Sequence, residues 1–190
     1  MTRFDFIGSG PDLFQLDIEG ERVRLVSIAE RFARDIFAEF RGDITTYMFP
    51  EPAEYIEETE AFIQASLEAF GEANNLQLVI LDKTTGEFLG CCGLHGRDDV
   101  KNPEIGIWLK RSAHGNALGK EAVWTLVYWA QDNVRIDSLS YPVDKRNQPS
   151  RKIPISLGGQ VVGEQVAKGR AGNVLDEIIY KIPVPLPVSR

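Results

Sequence analysis

The stretch Trp108-Leu-Lys-Arg-Ser-Ala-His-Gly-Asn-Ala-Leu-Gly-Lys-Glu-Ala122 passes from a strand through a turn of small residues into a helix. Small residues let backbone come close to a ligand, and the first amides of the helix have no carbonyl one turn back. Those amides and the positive end of the helix dipole favour a phosphate, and Lys120 adds positive charge. Two familiar phosphate turns are excluded. Gly115 to Glu121 is one residue short of a P-loop and has no Ser or Thr after its Lys. Gly-x-Gly-x-x-Gly is absent, and the turn sits mid-chain rather than after a first strand. A helix start with a flexible glycine entry is the plainer reading of the same residues.

Outward from this turn the pattern is strand-rich upstream. Residues 105–109 read as a strand, as do 88–94 and 76–81, with turn chemistry at 82–86, so an antiparallel meander is expected. Before it, 20–26 alternates polar and apolar residues. Ser27 and Glu30 match a capping box for a helix carrying Phe32, Ile36 and Phe40. Residues 43–52 read as a loop with Tyr47, Met48 and Phe49, and 53–70 as a second helix with Ile56, Ile63, Leu67 and Phe70 on one face. Downstream, a helix over 118–133 buries Ala122, Leu126, Val127 and Ala130. Then come a strand at 139–143, a short helix at 149–157, and strands at 160–167 and 175–182 around a Gly-rich basic segment, 168–173. Residues 1–19 read as an irregular leader and 183–190 as a surface tail. The expected fold is one α/β domain over residues 1–190: a mixed, mostly antiparallel sheet of about seven strands flanked by helices.

At 190 residues the chain fits one domain with a substantial core. Its net charge of −7, with cations scattered among acids, disfavours nucleic-acid backbone and anionic membrane as partners. No stretch is long and apolar enough for a signal peptide or a membrane span. Cys91 and Cys92 are adjacent, and neighbours on a strand face opposite ways, so buried reduced thiols in a cytoplasmic protein are expected. His95 and His114 have no Cys or carboxylate at ligand spacing, so no metal is expected. Trp124, Tyr128 and Trp129 read as packing.

Several motifs in order resemble the GNAT superfamily of N-acetyltransferases, most closely its branch acting on N-terminal amines of ribosomal proteins. The family's coenzyme A signature is Arg or Gln, two residues, Gly, one residue, then Gly or Ala. Here His114, Ala117 and Gly119 stand at those places, so His replaces Gln or Arg and Ala replaces the first Gly. The backbone amides survive both changes. Glu-Arg-Val-Arg-Leu at 21–25 resembles the first strand of the family. Tyr47-Met48 and 57–63 resemble its approach loop and second helix, and 104–109 its fourth strand. Asn147-Gln-Pro-Ser150 resembles the Asn-x-x-Ser of its fourth helix, followed by Leu157-Gly158.

The resemblance implies acetyl-coenzyme A as cosubstrate, with His114, Gly115, Asn116, Ala117, Leu118, Gly119 and Lys120 around the pyrophosphate. It implies Ile107, Trp108 and Leu109 backbone along the pantetheine, with Asn147 hydrogen-bonded to that arm. Glu104 matches a strand-four general base, and Ser150 a serine that protonates the leaving thiolate. Each has a plainer role too: Glu104 as a strand carboxylate ordering water or a cation, Ser150 as a helix cap, Asn147 as a turn residue. Deprotonating a lysine near 10.4 costs roughly 3 kcal/mol more than deprotonating an α-amine near 8, so a lone carboxylate suits the α-amine better. No cysteine stands in a nucleophile context, which favours direct attack. The resemblance implies a primary amine as acceptor, on a protein N-terminus or a small molecule, and a monomer or homodimer is expected. The alternative is a non-catalytic acyl-coenzyme A-binding or sensor module.

Overall fold

The computed structural model describes residues 3–96, 98–170 and 172–186. Its middle is β3 (Asn75–Asp82) and β4 (Phe88–His95), whose unbroken buried runs mark strands covered on both faces. The hairpin between them is closed by Asp82, whose Oδ1 accepts from the amides of Thr84 and Thr85. Outside β3 lie β2 (Val23–Ser27) and β1 (Asp17–Glu19). Beyond β4 come β5 (Glu104–Leu109), β6 (Ser138–Asp144), β8 (Val174–Pro183) and, at the far edge, β7 (Gln160–Lys168). Every neighbouring pair is antiparallel except β5 and β6. The sheet therefore has eight strands, one more than the sequence suggests.

The extra strand lies in the segment read as an irregular leader. Residues 17–19 pair with 24–26, and Phe4, Leu13 and Leu16 are buried. Ser27 explains why: its hydroxyl donates to the Leu13 carbonyl and accepts from the Leu16 amide, both at 2.8 Å. Ser27 thus anchors the N-terminal segment and caps no helix. The first α-helix, α1 (Ala33–Glu39), starts after a short turn headed by Ala29, and Glu30 accepts from Gln64 instead. The loop expected at 43–52 opens with a single helical turn, α2 (Gly42–Thr45), and the second long helix, α3, runs Ile56–Glu72.

Helices α4 (Leu118–Asn133) and α5 (Gln148–Ser156) cover the opposite face of the sheet from α1 and α3. Ala122, Val123, Leu126, Val127 and Ala130 of α4 are wholly buried, and a fully buried Val or Leu contributes about 1.5–3 kcal/mol. Trp124 reaches Ser156 Oγ at 2.9 Å and so ties α4 to α5, consistent with a packing role. The end of the chain is less free than a tail implies, since the Leu186 amide donates to Gln131 at 2.7 Å; residues 187–190 lie outside the described residues. Cys91 and Cys92 are free, buried thiols, and burial raises both pKa values well above the ordinary range.

One buried carboxylate fixes the turn from β6 into α5. Asp144 takes both nitrogens of Arg146 at 2.8 Å and the amides of Arg146 and Asp176. The Arg146 guanidinium is the main force holding this carboxyl below its usual value. Asp144→Ala strands those amides, so unfolding at pH 7 should lose about 1–3 kcal/mol. A carboxyl with a lowered folded pKa contributes fully above its unfolded pKa and loses that contribution as pH falls through the folded one. The gap between wild type and variant in chemical denaturation should accordingly close below about pH 4.

Candidate active site

Strand β5 is paired with β4 along its whole length but with β6 only at Glu104, opposite Ser140. There the Ser140 amide donates to the Pro103 carbonyl at 3.0 Å. Lys110 donates to the Leu89 carbonyl, which sets the alternation: Glu104, Gly106 and Trp108 turn their backbone groups to β4. The backbone groups of Ile107 and Leu109 therefore face the wedge left between β5 and β6. Of the three residues expected along the pantetheine, Ile107 and Leu109 thus turn their backbone groups to the wedge. Trp108 does not, for its backbone pairs with Cys91 and its indole packs on Phe40 and Phe88, at 4.9 and 5.8 Å between centroids.

The far end of the wedge meets the turn. His114 lies outside the helix and its Nε2 donates to the Leu109 carbonyl at 2.9 Å, bracing the strand end. Gly115 has φ of 84° and Ala117 of 58°, so two left-handed residues swing the chain into α4. The first hydrogen bond of α4 runs from the Glu121 amide to the Ala117 carbonyl at 3.1 Å. The amides of Leu118, Gly119 and Lys120 precede it and have no carbonyl to reach. Gly119 stands directly over the wedge. A Cβ there would sit 3.3 Å from Leu109 Cδ1 and 3.6 Å from Ile107 Cδ1. Lys120 stacks its ammonium on Trp124 at 5.4 Å, so its part at the turn is its amide.

A tether missed in the sequence holds this turn. Glu121 accepts from the Arg22 amide, from Arg22 Nε at 2.7 Å and from the Val23 amide, while Arg22 Nη1 donates to the Asn116 carbonyl. Nothing in the local pattern announces it, because Arg22, just before β2, lies nearly a hundred residues away. Ala117 tolerates its left-handed backbone at roughly 1–2 kcal/mol. Ala117→Gly should leave stability equal or raise it by up to about 1 kcal/mol, and Ala117→Val should lower it by more than that, read from thermal midpoints.

Across the wedge, Asn147 heads α5 and accepts from the Ser150 amide at 3.3 Å. Asn147 is thus the cap, and Ser150 is not. The Ser150 hydroxyl meets Tyr141 OH at 2.9 Å instead. Tyr141 is buried, and burial pushes its phenol up to about 12 against the Ser150 hydrogen bond, so the phenol keeps its proton. Tyr141 can then donate to Ser150, leaving the serine's own proton for a group outside.

Glu104 stands where β5 and β6 join, its side chain reaching solvent on one side. Desolvation by the surrounding protein, with the negative charges of Glu177 and Asp98, raises its carboxyl to about 6. It is therefore a carboxylate at neutral pH and a better proton acceptor than an ordinary glutamate. The loop after α2 meets the β7–β8 turn. The Arg170 amide donates to the Phe49 carbonyl at 2.9 Å, Asn173 reaches the Met48 carbonyl, and Arg146 lies over Tyr47. The loop at 43–52 and the segment at 168–173 are thus in direct contact. His95 and His114 sit at opposite ends of β5 and form no pair. Among the described residues no cluster of three or more His, Cys, Asp or Glu could hold a metal ion.

The parallel pair β5–β6 is thus splayed, and its open end lies beneath the free amides of α4. The sequence profile of the GNAT acetyltransferase domain matches residues 22–160, and the chain belongs to that family of acetyltransferases. It is 29% identical to the uncharacterized N-acetyltransferase p20 of Bacillus licheniformis, over 74% of this chain and 83% of that protein. Among solved structures it resembles RimL, a ribosomal L7/L12 α-N-protein acetyltransferase in complex with coenzyme A. That likeness has a TM-score of 0.75, covers 89% of this chain and 98% of that one, and has 16% identity. It also resembles the microcin C7 self-immunity acetyltransferase MccE in complex with acetyl-coenzyme A and AMP, with a TM-score of 0.74, 86% and 93% coverage, and 21% identity. No helix among the described residues is long and apolar enough to cross a membrane.

Proposed function

We propose that this acetyltransferase moves acetyl from acetyl-coenzyme A to a primary amine, on a protein N-terminus or a small molecule, by direct attack in a ternary complex. The observation that carries this reading is the open edge of β5, which begins at Glu104 and ends beneath the free amides of α4. Acetyl-coenzyme A supplies the acyl group already activated as a thioester.

Amides of Leu118, Gly119 and Lys120, with Gly115, Asn116 and Ala117 shaping their approach, hold the pyrophosphate. The outward backbone groups of Ile107 and Leu109 pair with the pantetheine arm, and one amide polarises the thioester carbonyl. The Asn147 side-chain NH2 donates to the same arm, since its oxygen is taken by the Ser150 amide. Glu104 accepts the amine's proton, and Ser150, backed by Tyr141, gives a proton to the departing sulfur. A base near 6 suits an α-amine near 8 far better than a lysine, which favours an N-terminal or similarly weak amine. The α-N-protein activity of RimL supports the same acceptor class. We place the chain in the cytoplasm, where two buried free thiols stay reduced.

Calorimetry with acetyl-coenzyme A, followed by free-thiol release against a panel of peptides and small amines, tests this. Binding together with acceptor-dependent thiol release is expected. Binding with no release for any amine would reject amine transfer.

A further inference from the structure

The two edges of the sheet differ. β1 has three residues, whereas β7 has nine and, among the described residues, pairs only with β8. A long bare edge invites another strand, because its outward N–H and C=O groups lack partners. The alternation of the ladder says which groups these are. The Lys145 amide donates to the Asp176 carbonyl at 2.8 Å, so Asp176 turns its backbone to β6, and Leu175 and Glu177 turn theirs to β7. Their partners there, Ala167 and Gln165, bond inward. Glu164, Val166 and Lys168 therefore turn their amides and carbonyls away from β8.

The same three residues point their side chains to one face. Val166, in the middle, is 73% exposed, and Val174, across from Lys168, is 53% exposed. One acidic and one basic residue flank Val166, and Lys145 holds the acidic one, Glu164, at 2.8 Å. Two β7 strands related by a twofold axis at Val166 run antiparallel, with outward residues opposite outward residues. Val166 then meets Val166 of the second copy, and each Glu164 meets a Lys168. Such apolar and opposite-charge pairs are favourable, and this ladder stays clear of the bulge between Val161 and Gly163. An axis at Gln165 or Ala167 sets a charge opposite Val166, and one at Glu164 sets two carboxylates face to face.

We propose that β7 pairs with β7 of a second copy of this chain about a twofold axis at Val166, so that one sheet continues through a homodimer. The outward backbone groups of Glu164, Val166 and Lys168 supply the ladder. Val166 forms the apolar centre, and the Glu164–Lys168 pairs set the register. The pairing goes beyond the acetyl-transfer reading and does not rest on it.

Sedimentation equilibrium of the full chain tests this. The wild type should reach twice the 21.2 kDa chain mass at micromolar concentration. Val166→Pro removes an outward N–H that β8 does not use, so it should spare the fold and weaken the dimer about tenfold or more. Lys168→Glu and Glu164→Lys each set like charges opposite one another and should separate the copies. An equimolar mixture of those two variants should restore a dimer, because the mixed pair brings opposite charges together again. A monomer at every concentration, whether β7 stays bare or takes a strand of another protein, would overturn the proposal. So would a dimer that Val166→Pro leaves as tight as wild type, or charge variants that stay apart when mixed.

Discussion

Gly119→Asp is expected to abolish acetyl-coenzyme A binding, weakening it more than a hundredfold in calorimetry, about 2.7 kcal/mol or more. Its first atom already lands 3.3 Å from Leu109 Cδ1 and 3.9 Å from Ile153 Cδ1, in the apolar floor between β5 and α5. The carboxylate beyond it must then either stay in that floor unpaired or rise against the phosphates. Both are costly, because an unpaired charge loses its water and like charges repel at close range. Gly119→Ala separates the two effects. One methyl against the flexible ends of Leu109, Ile107 and Ile153 needs a shift of a few tenths of an ångström, so binding should fall less than tenfold. An Asp variant that bound as tightly as wild type would remove α4 from the cosubstrate site.

Glu104→Gln carries the second large effect, in turnover rather than binding. With its carboxyl raised to about 6, the wild-type kcat/KM for an amine should fall below pH 6 as Glu104 takes up a proton. Between pH 6 and the amine's pKa near 8, wild type combines ionised Glu104 with protonated amine, and its rate is level. Gln cannot take the proton, so the variant depends on the neutral amine, which falls tenfold per pH unit below 8. The deficit therefore grows from small at pH 8 to about a hundredfold near pH 6, then stays constant. A stopped thiol-release assay from pH 5 to 9 reads both curves. Equal activity of wild type and variant throughout would withdraw the base assignment.

How much of this could be read in advance depends on whether a feature is local. The β3–β4 hairpin, α4 and the small-residue turn write themselves in periodicity and turn residues within a dozen positions. Direction along β5 is one step less visible, since which of Ile107, Trp108 and Leu109 faces the wedge depends on register with β4. The misread parts are held by distant partners. Ser27 caps nothing because Leu13 and Leu16 occupy its hydroxyl, and β1 exists because β2 offers an edge. Arg22 with Glu121, Tyr141 with Ser150 and Asn75 with His95 are pairs joined across the sheet or between sheet and helix. Short-range pattern carries no trace of such pairs.

The most direct test of the central claim is a crystal structure of the chain with acetyl-coenzyme A. The account predicts the pyrophosphate on the amides of Leu118, Gly119 and Lys120, and the pantetheine pairing with Ile107 and Leu109 in the β5–β6 wedge. It also predicts the thioester between Glu104 and Ser150. A cosubstrate bound elsewhere, with the wedge closed or empty, would contradict it.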